Sequence, residues 1–253
     1  MTGVLPIALE EATKAVQALL HSGKEYVCVM GLHAETPEDR IKTVLEEFQG
    51  TIYQRPPVRA SVKRRLRTRR IYHLDLLETD GRNVLFRVDC EAGTYIRKLC
   101  YDLGEALGCS AHMRELRRTR AGPFIEGKGL TTLHEVSYLY GLWQDNQDEN
   151  ILRKFIVPME KALELLPKVY IRDSAVDALC HGAHLAAPGV LSLETGIETN
   201  NVVAVLTLKG EAVALAKALA PTDQILKMNH GFVARSQRVL MPRGVYPKAW
   251  RSG

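Results

Sequence analysis

The stretch from Ile71 to Gly108 constrains the fold more than any other part of the chain, because it reads as a hairpin that continues into a helix. Asp80-Gly81 is a strong turn signal, and apolar residues alternate with polar ones from Val84 to Cys90. After a Gly-Thr turn, Tyr95 to Leu107 carries apolar residues at helical spacing, and Gly108 ends the helix. An antiparallel hairpin followed by an amphipathic helix favours an α+β fold.

The preceding segments fit the same class. Residues 8 to 21 show apolar spacing typical of a helix, and Lys24 to Leu32 is rich in Tyr, Val and Met, as strands are. A helix is predicted to start at Thr36, with Pro37 at its first position. Thr94 is the expected cap of the helix at residues 95–107.

The pattern changes at Pro167. Before it, the polar run WQDNQDEN at residues 143–150 predicts a surface loop, and a helix is expected from Ile151 to Leu166. After it come short strands separated by Gly and Pro, which are typical of a small β-barrel. The sequence therefore predicts one domain over residues 1–166 and a second over 167–253. The predicted strands of the second domain are Lys168 to Ile171, Val202 to Leu208 and Glu211 to Leu219.

Positive charge is concentrated in one segment. Eight Lys or Arg and no acid lie between Arg55 and Arg70, so the net charge of +5 leaves the rest of the chain at −3. A segment of this density attracts a polyanion and releases counterions on binding it. The alternative is a solvated basic loop, although interleaved apolar residues such as Val62 and Leu66 argue against it.

The remaining composition indicates the class of protein. No apolar run is long enough to span a bilayer and no signal-peptide pattern is present, so we expect a cytoplasmic protein with no membrane partner. The five cysteines are odd in number and form no Cys-x-x-Cys pair, which argues against disulfides. Cys100, Cys109 and His112 have the wrong spacing for a zinc site, so no metal is expected.

The segment from Cys90 to Phe124 is the richest in chemical groups. Arg97 lies in the first turn of the predicted helix, at the edge of its buried stripe, where an arginine usually needs an acidic partner. Spacing alone favours a structural ion pair with Asp102 or Glu105. A second basic cluster is either a solvated helix face or part of a surface that grips a phosphate backbone; its members are Arg114, Arg117, Arg118 and Arg120.

Five stretches resemble the pseudouridine synthases of H/ACA particles, the dyskerin-type branch of the tRNA pseudouridine synthase B superfamily. Three lie in the first domain, at Thr2 to Gln17, Arg55 to Glu78 and Gly93 to Arg118. Two resemble the family's PUA domain, at Asp173 to Val190 and Val239 to Trp250. The KRRLRTR run and the long tail favour the H/ACA type, and the absence of a lysine-rich extension after Tyr246-Pro247 makes the chain look archaeal.

The resemblance implies a fold and a set of roles. The fold would be α+β, with a mixed, mainly antiparallel sheet flanked by helices, followed by a small β-barrel PUA domain. Tyr26 would stack on the target uracil and help to remove the proton from C5, and Arg97 would pair with the catalytic aspartate. Tyr95 and Leu116 would line the pocket. The residues expected to bind RNA are Arg55, Arg59, Lys63, Arg64, Arg65, Arg67, Arg117, Arg118, Arg235 and Arg243.

The same resemblance implies the reaction and the partners. The enzyme isomerises uridine to pseudouridine in rRNA, with tRNA as a further possible substrate, and it needs no cofactor. Its expected partners are the H/ACA guide RNA, the target rRNA and three proteins of the particle: a small zinc-binding protein, a glycine/arginine-rich-type protein and a kink-turn-binding protein. The segment from Arg55 to Arg70 corresponds to the family's thumb loop, which closes on the substrate.

One departure from the family pattern concerns the nucleophile. The family's aspartate lies in a Gly-Thr-Leu-Asp-Pro stretch directly before the segment that begins here at Thr2, and Asp39, Asp75, Asp80 and Asp89 all have a different context. We therefore expect the 253-residue chain by itself to be inactive. Two other functions stay open: a stand-alone tRNA pseudouridine synthase and a non-catalytic RNA-binding scaffold.

Overall fold

The structure is a computed structural model that describes residues 1–56, 63–127 and 129–248. Its strands are β1 (Thr2–Gly3), β2 (Lys24–Leu32), β3 (Gly50–Gln54), β4 (Arg67–Asp80), β5 (Asn83–Cys90), β6 (Ala111–Ala121), β7 (Phe124–Ile125), β8 (Lys168–Ile171), β9 (Leu185–Ala186), β10 (Val190–Leu193), β11 (Val202–Thr207), β12 (Ala212–Ala218) and β13 (Phe232–Val239). Its α-helices are α1 (Val16–Leu20), α2 (Glu38–Glu47), α3 (Ile96–Leu107), α4 (Leu133–Asn146), α5 (Glu149–Leu152), α6 (Asp173–Cys180) and α7 (Thr222–Ile225). Short 3₁₀ helices occupy Glu10–Ala15, Met159–Leu163 and Ala187–Gly189.

The first compact unit is built on a seven-stranded sheet. Its main strand order is β1-β6-β2-β5-β4-β3, with β7 paired to β6. All pairs are antiparallel except β1 with β6, which is parallel. Helices α2 and α3 contribute apolar side chains to the same buried core as the central strands, and the α+β class is confirmed. The core includes Met30, Ile41, Leu45, Phe86, Leu99 and Leu103.

Helix α3 follows the predicted pattern closely. Its buried residues recur at three- and four-residue spacing, and Gly108 ends it in the left-handed conformation with φ of 77°. Gly104 is required because a Cβ there would lie 2.1 Å from the backbone nitrogen of Ala111. The predicted cap was wrong: Tyr95 is the N-cap residue, and the Thr94 hydroxyl donates instead to the carbonyl of Glu91 at 2.7 Å.

The second compact unit contains the six-stranded sheet β10-β8-β11-β12-β13-β9. The two edge strands, β9 and β10, are joined by only the three residues Ala187–Gly189. A sheet whose two edges are consecutive in the chain must curl until they meet, which gives the expected small barrel. Its interior is filled by side chains such as Ile171, Val205 and Val213.

The compact units differ from the predicted domain limits. Met1–Pro6 and Leu20–Leu142 form the first unit, whereas Ile7–Leu19 and Trp143–Gly253 form the second. Packing explains the difference, because two segments that precede residue 167 bury apolar side chains against strands of the barrel. This cluster consists of Ala15, Ala18, Leu163, Ala204, Leu206, Ala212, Leu215 and Leu240.

Three predicted elements of these segments were wrong. Residues 8–21 form a 3₁₀ helix and the short α1 in place of one helix. The expected loop at 143–150 is mostly helical, because α4 continues to Asn146 and α5 begins at Glu149 after an Asp148 cap. The helix expected at 151–166 is absent: α5 ends at Leu152, and a 3₁₀ helix follows only at Met159–Leu163, after Pro158, which lacks the N–H that a continuous helix needs.

No helix in the described parts of the chain is long and apolar enough to cross a membrane.

Candidate active site

Tyr26 lies on the central strand β2, between β5 and β6. Its register partners are Val88 on β5 and Arg118 on β6, and its half-buried ring packs against the apolar core. Leu116, the other pocket residue predicted on β6, is half-buried and lies opposite Cys28, two positions along from Tyr26. The strands therefore bring Tyr26, Leu116 and Arg118 together at one end of the core.

A bulge sets this arrangement. The pairing of β2 with β6 shifts between Glu25 and Tyr26, so that Glu25 faces Arg120 whereas Tyr26 faces Arg118. Thr119 is the extra residue, and its hydroxyl donates to the Glu25 carboxylate at 2.7 Å. Bulges re-aim side chains and are frequent next to active sites. This one places an arginine beside the tyrosine.

The electrostatics of this end of the core follow from burial. The pKa of the Tyr26 phenol is raised, mainly by burial and to a smaller extent by the charge of Cys90. The charge and the hydrogen bond of Arg118 lower this pKa but do not cancel the increase. Burial also lowers the pKa of Lys24, with the positive charge of Arg118 as the second cause. The pKa of Cys90 rises to about 12, mainly because the thiol is buried. Tyr26 and Cys90 are therefore protonated at neutral pH.

Arg97 occupies the first turn of α3 and is exposed to solvent. The expected ion pairs within the helix were wrong. Asp102 accepts from Lys98 at 2.5 Å, and Glu105 accepts from the Ser110 hydroxyl at 3.0 Å. Within the described part of the chain, Arg97 forms no ion pair. A guanidinium so placed is available to a carboxylate or a phosphate.

Tyr95, the third predicted pocket residue, is half-buried and is fixed by a residue that the sequence analysis did not single out. Its backbone N–H donates to Oε1 of Gln54 at 3.0 Å, and its carbonyl accepts from Nε2 of the same side chain at 3.2 Å. Gln54 is only 1% exposed, so these bonds are shielded from water. A glutamine preceding a basic run gives no periodic signal that would have revealed this role.

The basic segment follows strand β3 and runs into β4, which begins at Arg67. Of the predicted RNA-binding residues, Arg59 lies outside the described residues, Arg67 is half-buried, and four are exposed: Arg55, Lys63, Arg64 and Arg65. Arg64 donates to the Pro56 carbonyl at 3.2 Å, and Arg67 to the Lys63 carbonyl at 3.4 Å. These bonds engage backbone oxygens, so the guanidinium charges remain uncompensated.

The second basic cluster lies on strand β6, so the helix-face alternative was wrong. Its members differ in environment. Arg117 is neutralised by an ion pair with Glu126, whereas Arg118 donates from Nε to the Val4 carbonyl at 2.7 Å. Arg120 pairs with Asp89 at 2.5 Å. Arg118 thus keeps an unneutralised positive charge beside Tyr26.

In the second unit, Arg235 and Arg243 are both exposed, Arg235 on β13 and Arg243 beyond its end. Arg235 lies directly opposite Lys217 of β12. Like charges placed opposite each other on paired strands are destabilising in the absence of a ligand. An anionic ligand would relieve that repulsion.

The described residues contain no group of three or more His, Cys, Asp or Glu that could hold a metal ion. Cys100 is buried with its sulfur 3.6 Å from that of Cys28, and Cys109 accepts from the Thr36 hydroxyl at 3.6 Å. His112 contacts His33 at 3.1 Å.

Sequence comparison covers nearly the whole chain. The amino-terminal domain of the TruB family pseudouridylate synthases matches residues 1–96, the tRNA pseudouridylate synthase B carboxyl-terminal domain matches 97–164, and the PUA domain matches 167–240. The probable tRNA pseudouridine synthase B of Methanopyrus kandleri is 56% identical over 99% of this chain and 74% of the relative. That of Pyrococcus furiosus is 54% identical over the same shares.

Two solved structures are also similar. A Cbf5-Nop10-Gar1 complex contains a chain that is 55% identical, with a TM-score of 0.94 over 97% of this chain and 75% of that one. An H/ACA RNP bound to a substrate RNA containing 2'-deoxyuridine gives 52% identity and a TM-score of 0.91 over 98% and 75%. Because the chain is more than half identical to these relatives and covers about three quarters of their length, it belongs to the TruB/Cbf5 family of RNA pseudouridine synthases.

Proposed function

We propose that this chain is the pseudouridine synthase subunit of an H/ACA RNA-guided complex and that its target is rRNA. The observation that carries the proposal is the similarity, at 55% and 52% identity, to chains solved in a Cbf5-Nop10-Gar1 complex and in an H/ACA RNP. The curated relatives bear the name tRNA pseudouridine synthase B. A stand-alone enzyme acting on tRNA is therefore the second candidate.

The reaction detaches uracil from C1′ of its ribose, turns the base and rejoins it through C5. The uridine must first leave its stack, at a cost of a few kcal/mol. Stacking on the Tyr26 ring would return roughly 1–3 kcal/mol per base. The positive charge of Arg118 beside the phenol suits an electron-rich base edge or a nearby phosphate. Arg97 would hold the carboxylate that attacks C1′.

Two basic regions would bind the RNA. The first is the segment from Arg55 to Arg70, in which Arg64 and Arg67 donate to backbone oxygens and keep their charge, whereas Arg69 pairs with Glu91 at 3.6 Å. The second is the cross-strand pair of Lys217 and Arg235. We propose that the first contacts the substrate and that the second, in the PUA domain over residues 167–253, contacts the guide.

The similarity to a chain in a Cbf5-Nop10-Gar1 complex also supports protein partners. The chain would assemble with proteins of the Nop10 and Gar1 kinds, which correspond to the expected zinc-binding and glycine/arginine-rich-type subunits. A kink-turn-binding protein would be held through the RNA.

We further propose that the 253-residue polypeptide by itself binds RNA without forming pseudouridine. Arg97 has no carboxylate partner among the described residues, Asp75 pairs with Arg87 at 3.0 Å, and Asp89 pairs with Arg120. Neither Asp75 nor Asp89 is free to act as the nucleophile at Arg97. A nucleophile that the mechanism cannot replace abolishes turnover when it is missing.

The test is a pseudouridine assay by chemical labelling on a guide-matched RNA, with partner proteins and with or without guide RNA. The 253-residue chain by itself should give no product. The same chain preceded by a Gly-Thr-Leu-Asp-Pro segment should give product that depends on the guide, and its Asp→Asn variant should give none. Product from the 253-residue chain by itself, in a preparation free of host synthases, would contradict the nucleophile proposal. Guide-independent product on bare tRNA would favour the stand-alone enzyme.

A further inference from the structure

Gln54 is a buried polar side chain whose two hydrogen bonds both go to the backbone of one residue. Its amide accepts from the N–H of Tyr95 at 3.0 Å and donates to the carbonyl of Tyr95 at 3.2 Å. The backbone of a neighbouring strand would offer the same pair of hydrogen bonds. Here a side chain 41 residues away in the sequence supplies them. Because Gln54 is only 1% exposed, no water replaces either bond if its amide is removed.

The position of Gln54 in the chain connects it to the basic segment. It is the last residue of β3 and pairs in register with Arg67, the first residue of β4. The residues between these two contain most of the basic segment. Just beyond Gln54, the Pro56 carbonyl accepts from Arg64. A ligand held by Arg55 or Arg67 therefore acts on the backbone that carries Gln54.

The other side of the contact is the start of α3. Tyr95 is the N-cap residue of this helix, and its own side chain caps no backbone N–H. Its carbonyl accepts from the Leu99 N–H at 3.0 Å, which is the first hydrogen bond of the helix. Gln54 thus fixes the residue from which the helix starts, two positions before Arg97. Small shifts of a side chain that must meet a reacting group have large effects on rate.

We propose that Gln54 is a positioning residue that couples RNA bound on the basic segment to the first turn of α3, and so to Tyr95 and Arg97. This inference rests on the proposed RNA-modifying function of the site. RNA bound to Arg55, the next residue, or to Arg67, the register partner of Gln54, fixes the end of β3, and the amide of Gln54 transfers that order to the residue before the helix. Gln54 contacts neither substrate nor reacting atoms in this scheme.

The test uses residue-resolved amide exchange by NMR on the full 253-residue chain, free and with a short oligouridylate. Gln54→Met keeps the volume of the side chain and removes both hydrogen bonds. Without RNA, this variant should accelerate exchange of the Tyr95 amide at least about tenfold. Gln49→Met, the same change at an exposed glutamine, should leave it unaltered. Gln54→Glu keeps an oxygen that accepts from Tyr95 and should restore protection of that amide.

With oligouridylate, the parent should show further slowing of exchange at Tyr95 and Leu99, in proportion to occupancy. Gln54→Met should bind the same RNA within about twofold, because it removes no cation that faces a phosphate. In this variant, however, the RNA should not slow amide exchange at Tyr95 or Leu99.

Equal exchange in parent and Gln54→Met without RNA would overturn the positioning role. Slowing by RNA in Gln54→Met equal to that in the parent would overturn the coupling. A parent that fails to bind oligouridylate would contradict the proposed RNA function and remove the coupling, whereas the RNA-free comparison would still decide the positioning role.

Discussion

Val4 and Arg118 are joined by two hydrogen bonds. The backbone N–H of Val4 donates to the Arg118 carbonyl at 2.8 Å, and Nε of Arg118 donates to the Val4 carbonyl at 2.7 Å. The same arginine lies opposite Tyr26 across β2 and β6. The path of the amino-terminal segment and the position of the arginine beside the candidate pocket therefore depend on each other.

Gly3→Ala should separate this segment from β6. Gly3 has φ of +97°, and a Cβ there would lie 2.1 Å from the Arg118 carbonyl oxygen. Backbone strain of this kind costs about 1–3 kcal/mol where the structure must keep it. Because β1 is at the edge of the sheet, we expect it to detach rather than the unit to unfold. Exchange of the Val4 amide, followed by NMR, should then become fast.

Gly50→Ala is the matched control, since Gly50 has φ of +98° with no atom within 4 Å of the added Cβ. It should lower the free energy of unfolding through backbone strain alone and leave Val4 protected. Protection of the Val4 amide in Gly3→Ala would show that the close approach at Arg118 does not hold the segment.

The basic segment is the second subject of prediction. Changing Lys63, Arg64 and Arg65 together to Ala should weaken binding of single-stranded RNA for all base sequences alike. The slope of log affinity against log salt should fall by about 0.7 for each phosphate that the variant no longer neutralises. Filter-binding or fluorescence titration over a range of salt concentrations measures this slope. A triple change at the exposed Lys42, Arg82 and Lys227 removes the same charge elsewhere.

If the control variant lowers the slope as much as the segment variant, the RNA responds only to net charge and has no site on the segment. An unchanged slope in the segment variant would leave a solvated basic loop.

Periodic patterns account for the part of the fold that could be predicted. Strand β2 has the predicted bounds, and α3 buries the face that its spacing indicates. The segment from Arg114 to Arg120 stayed ambiguous because its charges fit both helical and strand spacing. The helix expected at 151–166 ends at Leu152, and Pro158, which a helix interior tolerates poorly, separates it from the 3₁₀ helix that follows.

The site was predictable only in part, for a physical reason. Tyr26, Tyr95, Arg97 and Leu116 came from a resemblance to a family, and their roles stay predictions. The contact of Arg118 with Tyr26 depends on a bulge at Thr119, which shifts the register by one residue and has no signature in the sequence. The bonds of Gln54 are tertiary contacts to backbone, which periodicity does not report.

Cys90 gives a prediction of pH dependence. Burial raises the pKa of its thiol from 9.0 to about 12. Because the folded state keeps this proton to a higher pH than the unfolded chain, the stabilisation is complete below about pH 9 and is lost as the pH rises to about 12. Within that window, the free energy of unfolding of the parent should fall more steeply than that of Cys90→Ala, by up to about 1.4 kcal/mol per pH unit.

Urea unfolding of parent and variant at several pH values from about 8.5 upward measures the difference. Cys90→Ala also leaves a small cavity, but this loss is independent of pH and shifts the curve without changing its slope. Cys109→Ala, the same change at a thiol that is only half-buried, is the control. Parallel curves for the parent and Cys90→Ala would show that the thiol titrates alike in the folded and unfolded chain.

Lys217 and Arg235 give the last prediction, in which stability and affinity should change in opposite directions. The two cations lie directly opposite each other on β12 and β13. Removing one should relieve repulsion, so Lys217→Ala should raise the free energy of unfolding by about 0.2–1 kcal/mol. It should also weaken binding of guide RNA, because one cation of the pair no longer faces the phosphates. Thermal unfolding and RNA titration at one low salt concentration measure the two effects.

Lys217→Gln keeps much of the side-chain length and should behave in the same way, whereas Lys227→Ala, at an exposed lysine in the turn after α7, should change neither quantity. A loss of both stability and affinity in Lys217→Ala would mean that its aliphatic stem packs on the barrel and that the pair is structural. Unchanged affinity with raised stability would remove this strand pair from the RNA-binding surface.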